Sequence, residues 1–117
     1  MKDPVDRKAQ IREYKETPRA MGVFRVRNVP RRCSLVGITR DLPAMLNRQR
    51  FQLGMGGHPN RQLQLDWQEA GSEHFTFDVL DTLKPSAEPG YDPTDDLKAL
   101  EAMWREKLAA EGERFYK

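Results

Sequence analysis

A chain of 117 residues, 38% hydrophobic and 32% charged, has room for one domain with one modest core and is too apolar for an intrinsically disordered tract. No apolar run approaches a membrane span, the opening MKDPVDRKAQ lacks the apolar core of a signal peptide, and the single Cys33 can close no internal disulfide and joins no zinc-type spacing, so a cytoplasmic protein is expected. The net charge of +2 conceals a split, because residues 1–61 hold 14 Lys/Arg against 5 Asp/Glu while residues 62–117 hold 6 against 13. This asymmetry points to a basic face for an anionic partner, DNA or RNA first among them; the alternative is two halves that neutralise each other once folded.

Asp3-Pro4 caps a helix over residues 4–16, and Thr17-Pro18 ends it. Two β-branched and aromatic runs follow, Met21–Val26 and Ser34–Ile38, around a turn holding Asn28, Pro30, Arg31 and Arg32. They predict a β-hairpin in which Phe24 and Val26 point one way and Val23, Arg25 and Arg27 the other. A helix capped by Thr39 or Asp41 comes next, with Leu42, Met45, Leu46, Gln49 and Leu53 on one stripe. Gln49 interrupts that apolar line. Gly54, Gly56 and Gly57 break the helix, and His58-Pro59-Asn60 starts another with Leu63, Trp67 and Ala70 facing inward up to Gly71. Phe75, Phe77 and Val79 alternate as a third strand, residues 82–93 read as loop, and a last helix carries Leu97, Leu100, Trp104 and Leu108 inward as far as Glu111. The sum is an α+β fold: a small three-stranded antiparallel sheet flanked by helices, with residues 1–20 as an N-terminal helix and linker and residues 21–117 as the main domain.

Taken in order, these segments resemble the GIY-YIG nuclease family over residues 21–116. Gly22-Val23-Phe24 stands where the family has GIY, and Leu35-Val36-Gly37 stands where it has YIG, with ten residues between Phe24 and Leu35. The phage homing-endonuclease branch is closer still. There a segment like HPNRQLQLDWQEAGSEHFTFDVLD follows the glycine break, and LEAMWREKL is similar to the Glu-containing last helix with an aromatic three residues on.

The resemblance implies a Mg²⁺-dependent endonuclease: a glutamate holds one divalent cation, two tyrosines position and activate water, an arginine neutralises phosphate and a histidine assists proton transfer. Here the two tyrosine positions hold Phe24 and Leu35. The arginine position, ten residues after Leu35, holds Met45, and the histidine position four further on holds Gln49. His58 matches an accessory histidine of homing members, and Glu101 matches the metal-binding glutamate. The asparagine that commonly follows the terminal tyrosine is not matched, since Tyr116 precedes Lys117.

Leucine and methionine supply neither a proton relay nor phosphate charge, which argues for a degenerate site, and a Mg²⁺ on Glu101 alone would be weakly held or absent. Each matched residue also has an ordinary structural role. Glu101 can pair with Arg105 one turn on, His58 can cap a helix, and Phe24, Leu35 and Met45 can fill the former cleft as core. Arg25, Arg27, Arg40, Arg48, Arg50 and Arg61, with Arg31 and Arg32 in the turn, are candidates for a phosphate-binding surface or a solvated face. The function expected is a catalytically degenerate GIY-YIG protein that binds nucleic acid. The alternatives are an active endonuclease with a rearranged site and a protein–protein interaction module on the same scaffold.

Overall fold

The computed structural model describes residues 20–84 and 88–117; the expected N-terminal helix lies outside the described residues. Strands β1 (Met21–Asn28) and β2 (Cys33–Thr39) form the hairpin, Phe24 facing Gly37 and Val26 facing Leu35. The turn between them closes with the Arg32 N–H donating to Val29 O at 3.2 Å, and Arg32 takes a φ of 49°. For a residue with a Cβ, that left-handed backbone costs roughly 1–2 kcal/mol.

Helix α1 (Leu42–Met55) starts at Asp41, whose carboxylate accepts the Ala44 N–H at 3.1 Å. Gly56 at φ 80° ends it. Helix α2 (Arg61–Ala70) is capped by Asn60, which accepts the Leu63 N–H at 3.0 Å. Strand β3 (Phe75–Leu83) then pairs antiparallel with β1, with a bulge between Val23 and Phe24. The loop expected over 82–93 therefore starts later, because Thr82 and Leu83 still pair with Gly22 and Met21. Helix α3 (Thr94–Ala110) follows.

The expectation of three antiparallel strands is corrected by β4 (Arg114–Phe115), which pairs parallel with β2 and makes a four-stranded mixed sheet of order β3-β1-β2-β4. Two residues are too few to show a period of two, so no alternation marks this strand in the sequence.

The period of two divides the core. On one face Val26, Phe75 and Tyr116 pack with Leu53 of α1 and Leu63 of α2, while Trp67 meets Phe75 and Phe77 at centroid distances of 5.1 and 5.9 Å. On the other face Val23 and Val36 pack with Leu108, Leu100 and Trp104 of α3. Each fully buried aliphatic side chain contributes about 1.5–3 kcal/mol, so the two clusters hold the helices to opposite sides of the sheet. Among the described residues, no helix is long and apolar enough to cross a membrane.

Candidate active site

Alternation along β1 puts Phe24 on the face covered by α1 and α2. The ring is buried and lies over Gly37, where an added Cβ would come within 2.9 Å of two ring atoms. The glycine of the second triplet thus makes room for the aromatic ring of the first. Leu35, two residues before Gly37 and on the same face, packs against the Val26–Leu53–Leu63 cluster.

Met45 and Gln49 stand one turn apart on α1. The Gln49 side-chain amide is buried and donates to Met45 Sδ at 3.4 Å, while its oxygen lies 2.5 Å from His58 Nε2. The other ring nitrogen of His58, Nδ1, accepts the Asn60 N–H at 2.9 Å. With Nδ1 occupied as an acceptor, the network assigns the proton to Nε2, which donates to Gln49. Gln64 completes the arrangement, accepting the His58 N–H at 3.0 Å and donating to Leu53 O at 3.0 Å. The polar residues of this region therefore hold α1, the connecting loop and α2 together, and each is engaged with a protein partner.

Burial lowers the His58 pKa below its usual 6.5, and protonating Nδ1 would also break the Asn60 bond. A base with a depressed folded pKa stays neutral in the fold and takes up a proton on unfolding. Its contribution to stability is complete above pH 6.5 and declines as the pH falls below that value. A thermal melt of the wild type should lose stability between pH 7 and 5.5, and His58→Gln should flatten that limb. Parallel curves for the two proteins would refute the assignment.

Glu101 lies on α3, the helix packed on the opposite face of the sheet. Its carboxylate accepts from Arg105 Nε at 3.3 Å, and Arg105 also donates to Val36 O at 2.7 Å and lies over the Phe115 ring. Glu101 thus holds an arginine that ties α3 to β2. Among the described residues, no group of three or more His, Cys, Asp or Glu is placed to hold a metal ion. The carboxylate that the resemblance assigns to a divalent cation is paired with Arg105 instead, an arrangement that does not fit a bound cation.

Several of the predicted phosphate-binding arginines already have protein partners. Arg25 pairs with Asp78 at 3.2 Å, Arg40 with Asp92 at 2.8 Å, and Arg27 reaches both oxygens of Glu113 at 2.9 and 3.0 Å. Arg50 lies over the Phe77 ring at 4.7 Å. Arg48 and Arg61 are exposed and make no ion pair among the described residues. Arg25 and Arg27 occupy the α3 side of the sheet, whereas Arg48 and Arg50 stand on α1 on the other side.

Two acidic residues that carried no signal in the sequence are central to the fold. Glu113 takes Arg27 and the buried Ser34 hydroxyl. Burial raises its carboxyl pKa, but the Ser34 and Arg27 bonds outweigh burial and hold it below the ordinary carboxylate value. Asp66 is 3% exposed and accepts the Tyr116 hydroxyl at 2.7 Å, and burial together with that bond keeps the phenol well above its usual pKa. Arg27, Ser34 and Tyr116 lie dozens of residues away from these acids along the chain, out of reach of any local pattern.

Neither a protein-family model nor a curated protein matches the chain. Two solved structures are similar to it. The catalytic domain of the intron endonuclease I-TevI, in a point-mutant form, superposes at a TM-score of 0.63 with 18% identity, over 84% of this chain and 92% of that one. The catalytic domain of homing endonuclease I-TevI superposes at 0.61 with 21% identity, over 82% and 95%. At such identities the likeness establishes the fold, which is α+β and GIY-YIG-like over most of the chain.

Proposed function

We propose that this protein is a catalytically silent nuclease-like domain that binds nucleic acid. The observation that carries the first half is the set of side chains at the motif positions. Phe24, Leu35 and Met45 have no titratable group, and Gln49 and His58 are closed into a bond with each other. General acid–base catalysis contributes about 10²–10⁴-fold and a charge stabiliser about 10²–10³-fold more, so losing both removes most of what such a site could supply. Binding is supported by the endonuclease-like fold and by the basic half of the chain.

The test is a cleavage assay with Mg²⁺ or Mn²⁺ on single-stranded, duplex and branched DNA, with Glu101→Ala beside the wild type. No cutting is expected; metal-dependent cutting abolished in Glu101→Ala would overturn silence. Binding is checked by anisotropy over a salt series, where log affinity should fall linearly with log salt. Affinity that is absent at low salt would favour a protein–protein module instead. One observation favours the second reading, an active endonuclease with a rearranged site: Arg48 is exposed, without an ion pair among the described residues, and one helical turn after Met45. Under that reading Arg48→Ala also abolishes cutting.

A further inference from the structure

We propose that the cavity between the hairpin turn, the start of α2 and the C-terminal strand is a phosphate site for a nucleic-acid strand, an inference that rests on the nucleic-acid reading above. The cavity has a volume of about 410 Å³, and Arg31, Arg114 and Lys117 line it together with one acidic residue, Asp66. Three cationic side chains thus meet one side-chain carboxylate, and that carboxylate is committed inside the protein. Asp66 takes the Tyr116 hydroxyl on one oxygen and the Gln62 amide on the other at 2.8 Å. Its contact with Arg31 is loose, 3.6 Å to a guanidinium side chain that is 57% exposed.

Arg114 is positioned by backbone. The β2–β4 pairing sets Arg114 beside Cys33, with the Arg114 N–H donating to Arg32 O at 2.8 Å. The Arg114 side chain gives one N–H to the carbonyl of Arg31 at 3.0 Å, which fixes its guanidinium next to that residue. A guanidinium has five N–H donors, so most of those on Arg114 remain for a ligand. One planar fork held at the cavity, with the exposed and loosely held Arg31 guanidinium lining the same space, suits the tetrahedral oxygens of a phosphate. Phe115 and Tyr116 of the C-terminal segment border the cavity as well. A phosphodiester suits this site, with its charge on the arginines.

The experiment is anisotropy with a labelled 20-nucleotide strand and its duplex, comparing wild type, Arg31→Gln/Arg114→Gln and Lys98→Gln. Lys98 is an exposed lysine on α3, and its loss removes one positive charge away from the cavity. The double variant should bind about tenfold or more weakly at low salt, with its log–log salt slope smaller by about two, and Lys98→Gln should leave both values in place. Equal affinity and slope in the double variant would overturn the site while leaving nucleic-acid binding intact. An equal loss in Lys98→Gln would show a diffuse charge effect and also overturn it. If the wild type binds no nucleic acid, the broader reading fails together with the site. Should the double variant not fold, Arg114→Lys serves instead: it keeps the charge and removes the fork, so affinity should fall several-fold with the slope unchanged, and unaltered affinity would count against the site.

Discussion

Gly22→Ala is expected to destabilise the domain by about 4 kcal/mol or more, at the severe end for a single substitution. A Cβ at this position would lie 2.0 Å from the carbonyl oxygen of Asp81 and 2.8 Å from Cα of Thr82. Both are backbone atoms, so no side chain can turn aside to make room. Relief requires β1 and β3 to separate next to the Val23/Phe24 bulge, and β1 is a central strand paired on both edges. Against a total stability of about 5–15 kcal/mol for a domain, such a loss is visible in any equilibrium unfolding curve. Gly54→Ala is the matching control, because Gly54 lies within α1 and a Cβ there meets nothing within 4 Å. It should stabilise by about 0.5–1 kcal/mol through helix propensity. Urea unfolding of the two variants should shift the midpoint in opposite directions, and equal shifts would refute the close-approach explanation.

Removing the Glu113 side chain is expected to have the next largest effect. Glu113→Ala leaves the Ser34 hydroxyl, which is fully buried, without its acceptor and strands Arg27 beside it. Breaking a buried ion pair costs about 3–5 kcal/mol. Because Arg27 is 28% exposed and water can reach it, a loss of about 2–3 kcal/mol is expected. The consequence is also positional, since Glu113 is adjacent to β4 and anchors the segment that pairs with β2. The acid limb provides a second measurement. A carboxyl held below its ordinary pKa contributes stability above the unfolded value of about 4.3 and loses that contribution as the pH falls through the folded value. Wild-type stability should therefore fall more steeply below pH 5 than that of Glu113→Gln, which keeps the shape and removes the titration.

The residues at the motif positions and those that hold the fold together differ widely in how visible they are along the chain. The positions of Phe24 and Leu35 were legible because both triplets lie in strands with clear alternation, and the faces assigned to Val23, Phe24 and Val26 are the observed ones. The Gly71 helix stop was legible because it acts on backbone within four residues, and the structure chooses Asp41 over Thr39 as the cap of α1. Gln49 stood out as a polar break in an apolar stripe, yet nothing local pointed to His58 as its partner nine residues on. The Arg105 partner of Glu101 was visible as an i, i+4 pair on a helix.

By itself, then, the amino-acid sequence determined the order of elements from β1 to α3 and the two-faced hairpin, because periodicity and capping are local properties. Only the tertiary structure decided the fourth strand, the clash that reserves Gly22 for glycine, and the partners of Glu113 and Asp66. Arg27 and Glu113 are 86 residues apart, and Tyr116 and Asp66 are 50. Such pairs form only when the sheet brings the C-terminal segment to the edge of β2, and no spacing along the chain encodes that meeting.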